Sequence, residues 1–208
     1  MGNLIELDES LLIGQGCHKK VYAVPQEPDK CVKIIYNADG QKDIKRELSY
    51  RSYRRAHNMP MDLVPKYYGT VETNLGRGYL YERITDADGK PSVTLRDCVR
   101  DTAILSRYLE DITAKLLELR RRIMDENWIT MGITDENIIF RKEASNEYRV
   151  CLISDLGTAD FIPVTRIRWF AVKKIRRKWQ RLVEDLQREI NDEQEKYLTA
   201  LIKAIRYE

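Results

Sequence analysis

Hydrophobic and polar positions alternate over residues 3–36, with β-branched and aromatic residues gathered around glycines in LLIG, VYAV and CVKIIY. A period of two is the pattern of strands buried on one face, and it predicts a three-strand meander. QEPD, between Val24 and Lys30, supplies the turn formers of a hairpin connection. The period then changes. Residues 41–57 lack Gly and Pro and set Ile44, Leu48 and Tyr53 near helical spacing. Pro60 and Pro65 punctuate, and KYYGTVE and GYLYERI read as two strands joined by TNLGRG. The strongest helix covers 103–126, where Leu105, Leu109, Ile112, Leu116, Leu119 and Ile123 follow steps of three and four. VCLIS is a short apolar strand, and from about 166 onward the chain reads as helix in two pieces. The order, strands first and helices later, predicts an α+β fold. DADGKPS is rich in turn formers and marks the expected boundary between a first lobe, 1–88, and a second, 89–208.

Composition narrows the classes. At 208 residues, 43% hydrophobic and 33% charged, the chain can bury a core and stay in water. A net charge of +3 is too small to argue for nucleic acid. Cys17, Cys31, Cys98 and Cys151 form no CxxC pair, so they are expected to be reduced thiols of a cytoplasmic protein. No apolar run nears the ~18 residues of a membrane span. MGNLIELDES shows no signal-peptide pattern, and Gly2 lacks the Ser or Thr of a myristoylation site.

The candidate chemistry lies in four segments. Gly14-Gln15-Gly16 joins two predicted strands, and glycines there let backbone N–H groups approach phosphate oxygens. The third glycine of a kinase loop is replaced by Lys19. Lys33 lies in an apolar strand between Val32 and Ile34, and Glu47 follows in the predicted helix. A buried lysine calls for a partner, and a strand lysine paired with a helix glutamate holds phosphates in kinases. Alone, a solvent-facing Lys33 is the preferred reading; with the glycine turn upstream, the pair is. NWITMGITDENIIF has the frame of a kinase catalytic loop, with Asn137 at the metal-binding position and Gly132 where the catalytic aspartate belongs. LISDLG places Asp155 as a second magnesium ligand. Glu82, at the end of the GYLYERI strand, completes the expected cofactor-binding set of Gly14, Gly16, Lys33 and Glu47.

Taken with VPKYYGTVETNLGRGYLYERITDADGKPSVTL, the RELSYRSY helix and DFIPV followed by a basic Trp-containing helix, these segments resemble the YrbL family, PhoP-regulated bacterial proteins with a protein-kinase-like fold. The resemblance covers about residues 8–182. It implies a small antiparallel-sheet lobe and a reduced, mainly helical second lobe without a full peptide-substrate platform.

Gly132 decides the functional expectation. General-base catalysis contributes ~10²–10⁴-fold, so its loss cripples transfer to a hydroxyl without preventing nucleotide binding. Asp135, three residues on, starts from a different place in the loop and is not a substitute. The expected function is a pseudokinase or regulatory switch that binds ATP and Mg²⁺, with an unidentified protein partner left open. The alternatives are an atypical phosphotransferase and a binding module built on the basic helix. That helix carries Arg166, Arg168, Lys173, Lys174, Arg176, Arg177, Lys178 and Arg181 beside a stripe of Val172, Ile175, Trp179, Leu182 and Leu186. The stripe predicts core packing, and acids follow from Glu184 onward, so nucleic acid is disfavoured.

Overall fold

A computed structural model describes residues 4–157 and 168–207. Gly2, Arg166, the side chain of Arg168 and the DFIPV segment lie outside that description. The chain opens with a meander of β1 (Leu12–Gln15), β2 (Lys19–Val24) and β3 (Glu27–Ile35). Helix α1 (Ala38–Ala56) follows, then β4 (Tyr67–Thr73) and β5 (Gly76–Glu82). These strands form one antiparallel sheet in the order β1-β2-β3-β5-β4. Inserting a helix between β3 and β4 lets β5 return beside β3, so Lys33 lies opposite Tyr79, in the middle of the sheet.

The second part is mainly helical. Its elements are β6 (Val93–Thr94), α2 (Leu95–Arg100), α3 (Thr102–Asp125), β7 (Ile138–Lys142), β8 (Tyr148–Leu152), α4 (Arg168–Arg188) and α5 (Glu195–Ile205). β6, β7 and β8 make a small antiparallel sheet that displays the loops on either side. The fold is α+β, as the order of periods predicts. A five-stranded antiparallel sheet with one inserted helix, followed by a helical half, is the kinase-like arrangement that the resemblance implies.

Helix α1 starts at Ala38, three residues before the helical stretch expected at 41–57. Asn37 caps it, its side-chain oxygen accepting from Gly40 N at 2.8 Å. Gly40 in the first turn is required by packing: a Cβ there would lie 2.7 Å from the His18 carbonyl oxygen. The other end of α1 is set deep in the molecule. Arg54, fully buried, donates to the carbonyls of Pro60, Glu126 and Asn127 and stacks 3.5 Å above the Trp128 ring centroid. The Tyr50 hydroxyl donates to the Asn127 carbonyl and accepts from Ile129 N.

The core of the helical half joins α3, α4 and α5 with the residues around Trp128. On α4, Ile175, Trp179, Leu182 and Leu186 are buried, whereas Lys173, Arg176 and Arg177 face outward. The stripe is core packing, and Trp179 Nε1 also donates to the Ile205 carbonyl at the end of α5, at 2.9 Å. No helix among the described residues is long and apolar enough to cross a membrane.

Trp179 has no exposed surface, so Trp179→Ala is expected to lose about 3–5 kcal/mol of stability. Lys174→Glu with Lys178→Glu is expected to lose far less. Urea denaturation of both variants against the parent measures the difference.

Candidate functional site

A cavity of about 450 Å³ lies between the first sheet and the helical half. Its walls hold Gly16, Lys33, Glu47, Gly132, Asn137 and Asp155. A second cavity of about 700 Å³ shares Gly16, Lys33 and Asn137 with the first, and it takes in Gly14 and Glu82 as well as apolar Val21, Ile84, Ile139 and Ile153. The expected residues therefore gather around two adjoining spaces. One is ringed by charges. The other adds Val21, Ile84, Ile139 and Ile153 to a lining that keeps Lys33 and Glu82, the mix of apolar surface and a few polar groups usual in a small-molecule site.

The glycine turn is tightly held. Gly16 N donates to the Lys19 carbonyl at 2.9 Å. The Tyr36 hydroxyl donates to the Gly16 carbonyl, and Asn37 Nδ2 to the Cys17 carbonyl. The His18 ring meets Asn37 Oδ1 at 3.1 Å. Thus the residue that caps α1 also carries the turn.

Lys33 and Glu47 are both buried, each 6% exposed, but they form no ion pair with each other. This corrects the paired reading. Lys33 Nζ donates to the Ile153 carbonyl at 2.9 Å and sits 4.2 Å from the Tyr81 ring centroid. Glu47 binds Arg51, one helical turn on, at 2.8 Å, and Arg51 donates its other side to the Pro65 carbonyl. An i,i+4 guanidinium on the same helix reaches the carboxylate without crossing the gap between strand and helix. Lys33 still acts on Glu47 through space. Burial pushes the Lys33 ammonium below the ordinary lysine value, against the opposing pull of Glu47. Burial raises the Glu47 carboxyl, but the charges of Lys33 and Arg51 outweigh it and hold the carboxyl below the usual range.

On the helical side, Asp155 has φ 64, a left-handed backbone that Asp tolerates better than most residues. This geometry turns its carbonyl toward Thr130 Oγ1, at 2.8 Å, and Met131 N, at 2.6 Å, and locks two loops together. Its carboxylate accepts from Asn137 Nδ2 at 3.1 Å and from Ser154 Oγ at 3.0 Å. A Cβ on Gly132 would stand only 3.3 Å from Asp155 Oδ2, so the glycine lets the loop pass close to the carboxylate. Among the described residues, no group of three or more His, Cys, Asp or Glu side chains could hold a metal by itself. Asn137 and Asp155 offer two hard oxygens, which fits a magnesium ion that takes its remaining ligands from water and phosphate.

Two neighbouring acids are already engaged. Asp135 receives a two-pronged contact from Arg96 of α2, at 2.9 and 3.1 Å, and Glu136 binds the same guanidinium. Asp135 is therefore held away from the role of a base. Glu82 accepts from Arg141 and from Lys66 N, so its side chain braces the end of β5. Sequence reasoning missed Arg51, Arg96, Ser154 and the reach of Lys19. The i,i+4 spacing of Glu47 and Arg51 was the one readable signal for that pair.

Three comparisons bear on identity. The family described as PhoP regulatory network protein YrbL matches residues 5–187. The YrbL proteins of Escherichia coli strain K12 and Shigella flexneri are each 34% identical over 186 residues, covering 86% of this chain and 87% of theirs. Among solved structures, the kinase domain of PknI from Mycobacterium tuberculosis aligns with a TM-score of 0.43 and 13% identity. That alignment covers 72% of this chain and 58% of the PknI chain.

Replacing Glu47 with Gln leaves Lys33 and Arg51 without their carboxylate, at an expected cost of about 3–5 kcal/mol at pH 7. The folded-state value of Glu47 is depressed, so its stabilisation is complete above the unfolded value of about 4.3 and is lost as pH falls through the folded one. Denaturation curves of parent and variant should therefore converge below about pH 4.3.

Proposed function

The chain belongs to the family of the PhoP regulatory network protein YrbL, and we propose that within it this cleft binds Mg·ATP as a pseudokinase: a nucleotide-dependent switch rather than a phosphotransferase. The observation that carries this reading is the pairing of an anion-accepting wall with a missing base. Lys19 and Lys33 line the charged cavity, and Asn137 and Asp155 offer oxygens to a metal. The adjoining space suits a base, since Val21, Ile84, Ile139 and Ile153 line it together with Glu82 at the end of β5. The metal, when bound, would neutralise phosphate charge.

The protein's own groups support binding better than chemistry. Gly132 offers no carboxylate to accept a hydroxyl proton. Asp135 faces Arg96. A substrate hydroxyl brought near the terminal phosphate would find no free base among the described residues of this loop. Such a site discriminates between loaded and empty states, and a partner protein can read that difference. A role in a bacterial PhoP-linked signalling network follows from the family and is part of the proposal.

Thermal unfolding with and without Mg·ATP tests the reading. Ligand at one hundred times its dissociation constant adds about 2.7 kcal/mol to the native state. The melting temperature should rise with Mg·ATP, and Asp155→Ala should remove the magnesium-dependent part. Transfer of radiolabelled phosphate to the protein or to water should stay at background. A calorimetric titration without heat, together with an unmoved melting temperature, would sink the nucleotide reading.

Gly132→Asp is informative in both directions. The new carboxylate would crowd Asp155, so the variant should melt lower than the parent without metal and recover when magnesium is added. Any gain in phosphate transfer should stay below the ~10²-fold floor of a well-placed base, because Thr130 and Met131 leave it unoriented.

A further inference from the structure

Two lysines reach the charged cavity, and they are not equivalent. Lys33 comes from the middle of the sheet and is 6% exposed. Its ammonium is turned into the protein, against the Ile153 carbonyl and the face of Tyr81. Lys19 stands at the first residue of β2, directly after the glycine turn, and is only partly buried. Its ammonium spans the cavity from the sheet to the helical side and donates to Ser154 Oγ, which in turn donates to Asp155 Oδ1 at 3.0 Å. Lys19 thus ends at the residues that would face a metal and the phosphates around it, whereas Lys33 ends against protein.

We propose that Lys19, rather than Lys33, is the principal phosphate-binding cation of this site, and that Lys33 is a positioning residue that ties β3 to the Ile153 carbonyl and braces the Tyr81 ring. The ligand chemistry is that of a nucleoside polyphosphate, so the proposal rests on the Mg·ATP reading above. Physical reasons favour this division of labour. A partly exposed ammonium hydrogen-bonded to one neutral hydroxyl exchanges that bond for a phosphate oxygen at little cost, and the new bond is charge-assisted. A buried ammonium must leave a carbonyl and a ring face to do the same. The glycine turn reinforces the assignment. A glycine at position 19 would leave the turn's backbone N–H groups as the donors from this strand, whereas a lysine adds a full charge at the same place. The turn is fixed to the start of α1 by Asn37, so the root of the Lys19 side chain has a defined position over the cavity.

Isothermal titration of Mg·ATP and of adenosine into the full chain separates the two lysines. Lys19→Met should weaken Mg·ATP by ~10–100-fold, the worth of a hydrogen bond to a charged group, and leave adenosine binding unchanged. Lys19→Arg should restore most of the loss. Lys33→Met should lower the melting temperature of the unliganded protein and change Mg·ATP and adenosine affinity by similar factors. Equal Mg·ATP affinity in the parent and Lys19→Met would overturn the assignment while leaving the nucleotide site standing. So would a loss shared with adenosine or not rescued by arginine. Absence of Mg·ATP binding to the parent would overturn both.

Discussion

A guanidinium held by neutral groups sits where the two halves of the molecule meet. Arg54 has no surface in contact with water, and its N–H groups point at the carbonyls of Pro60, Glu126 and Asn127 and at the Tyr50 hydroxyl. The Trp128 ring closes one face of its plane. A buried charge is tolerable only when every donor finds an acceptor, so this one arginine dictates how the chain runs at three places at once. It fixes the end of α1, the turn at Pro60 and the exit from α3. The loop that carries Thr130, Gly132 and Asn137 begins only two residues beyond Trp128. Arg54 therefore sets the register between the helix that bears Glu47 and the loop that faces it.

The same economy governs the cleft. Its charges are met mostly by short-range partners on the same element or by neutral oxygens: Glu47 by Arg51, Lys33 by a carbonyl, Lys19 by a hydroxyl. Cross-cleft contacts use few direct ion pairs. An anion entering such a space displaces weak dipolar contacts rather than strong ionic ones, and this lowers the barrier to loading. Asp155 is the exception that gives the site direction. Its left-handed backbone commits its carbonyl to Thr130 and Met131 and leaves its carboxylate to Asn137 and Ser154, with Gly132 packed close beside it.

Long periodic elements could be read directly, because burial and period coincide in them. The helix expected at 103–126 runs over Thr102–Asp125, and the strands around TNLGRG appear as β4 and β5. Where a residue obeys packing rather than period, the reading slipped. The helical stretch expected at 41–57 begins after Gly40, yet α1 starts at Ala38 and takes Gly40 in, since only glycine fits under the His18 carbonyl. QEPD looked like a turn, but β3 begins at Glu27, and Pro28 is accommodated near the register shift opposite Val24. α2 is too short for any period, and its capping box at Thr94 and Asp97 was its only trace. In the site, the residue types and their order could be read. The choice of partner could not, because Lys33 and Arg51 compete for one carboxylate and the winner depends on side-chain reach. Nothing in RSYRRAH distinguished Arg54, which is wholly buried, from Arg55, which is exposed.

Helix α1 is fastened at both ends, to the glycine turn through Asn37 and to the core through Tyr50 and Arg54. Its 19 residues make a strut about 28 Å long. In mechanical terms it is a rod clamped at each tip. With neither tip on a loose joint, the glycine turn and the core around Trp128 are kept at a fixed separation, as parts of one rigid piece.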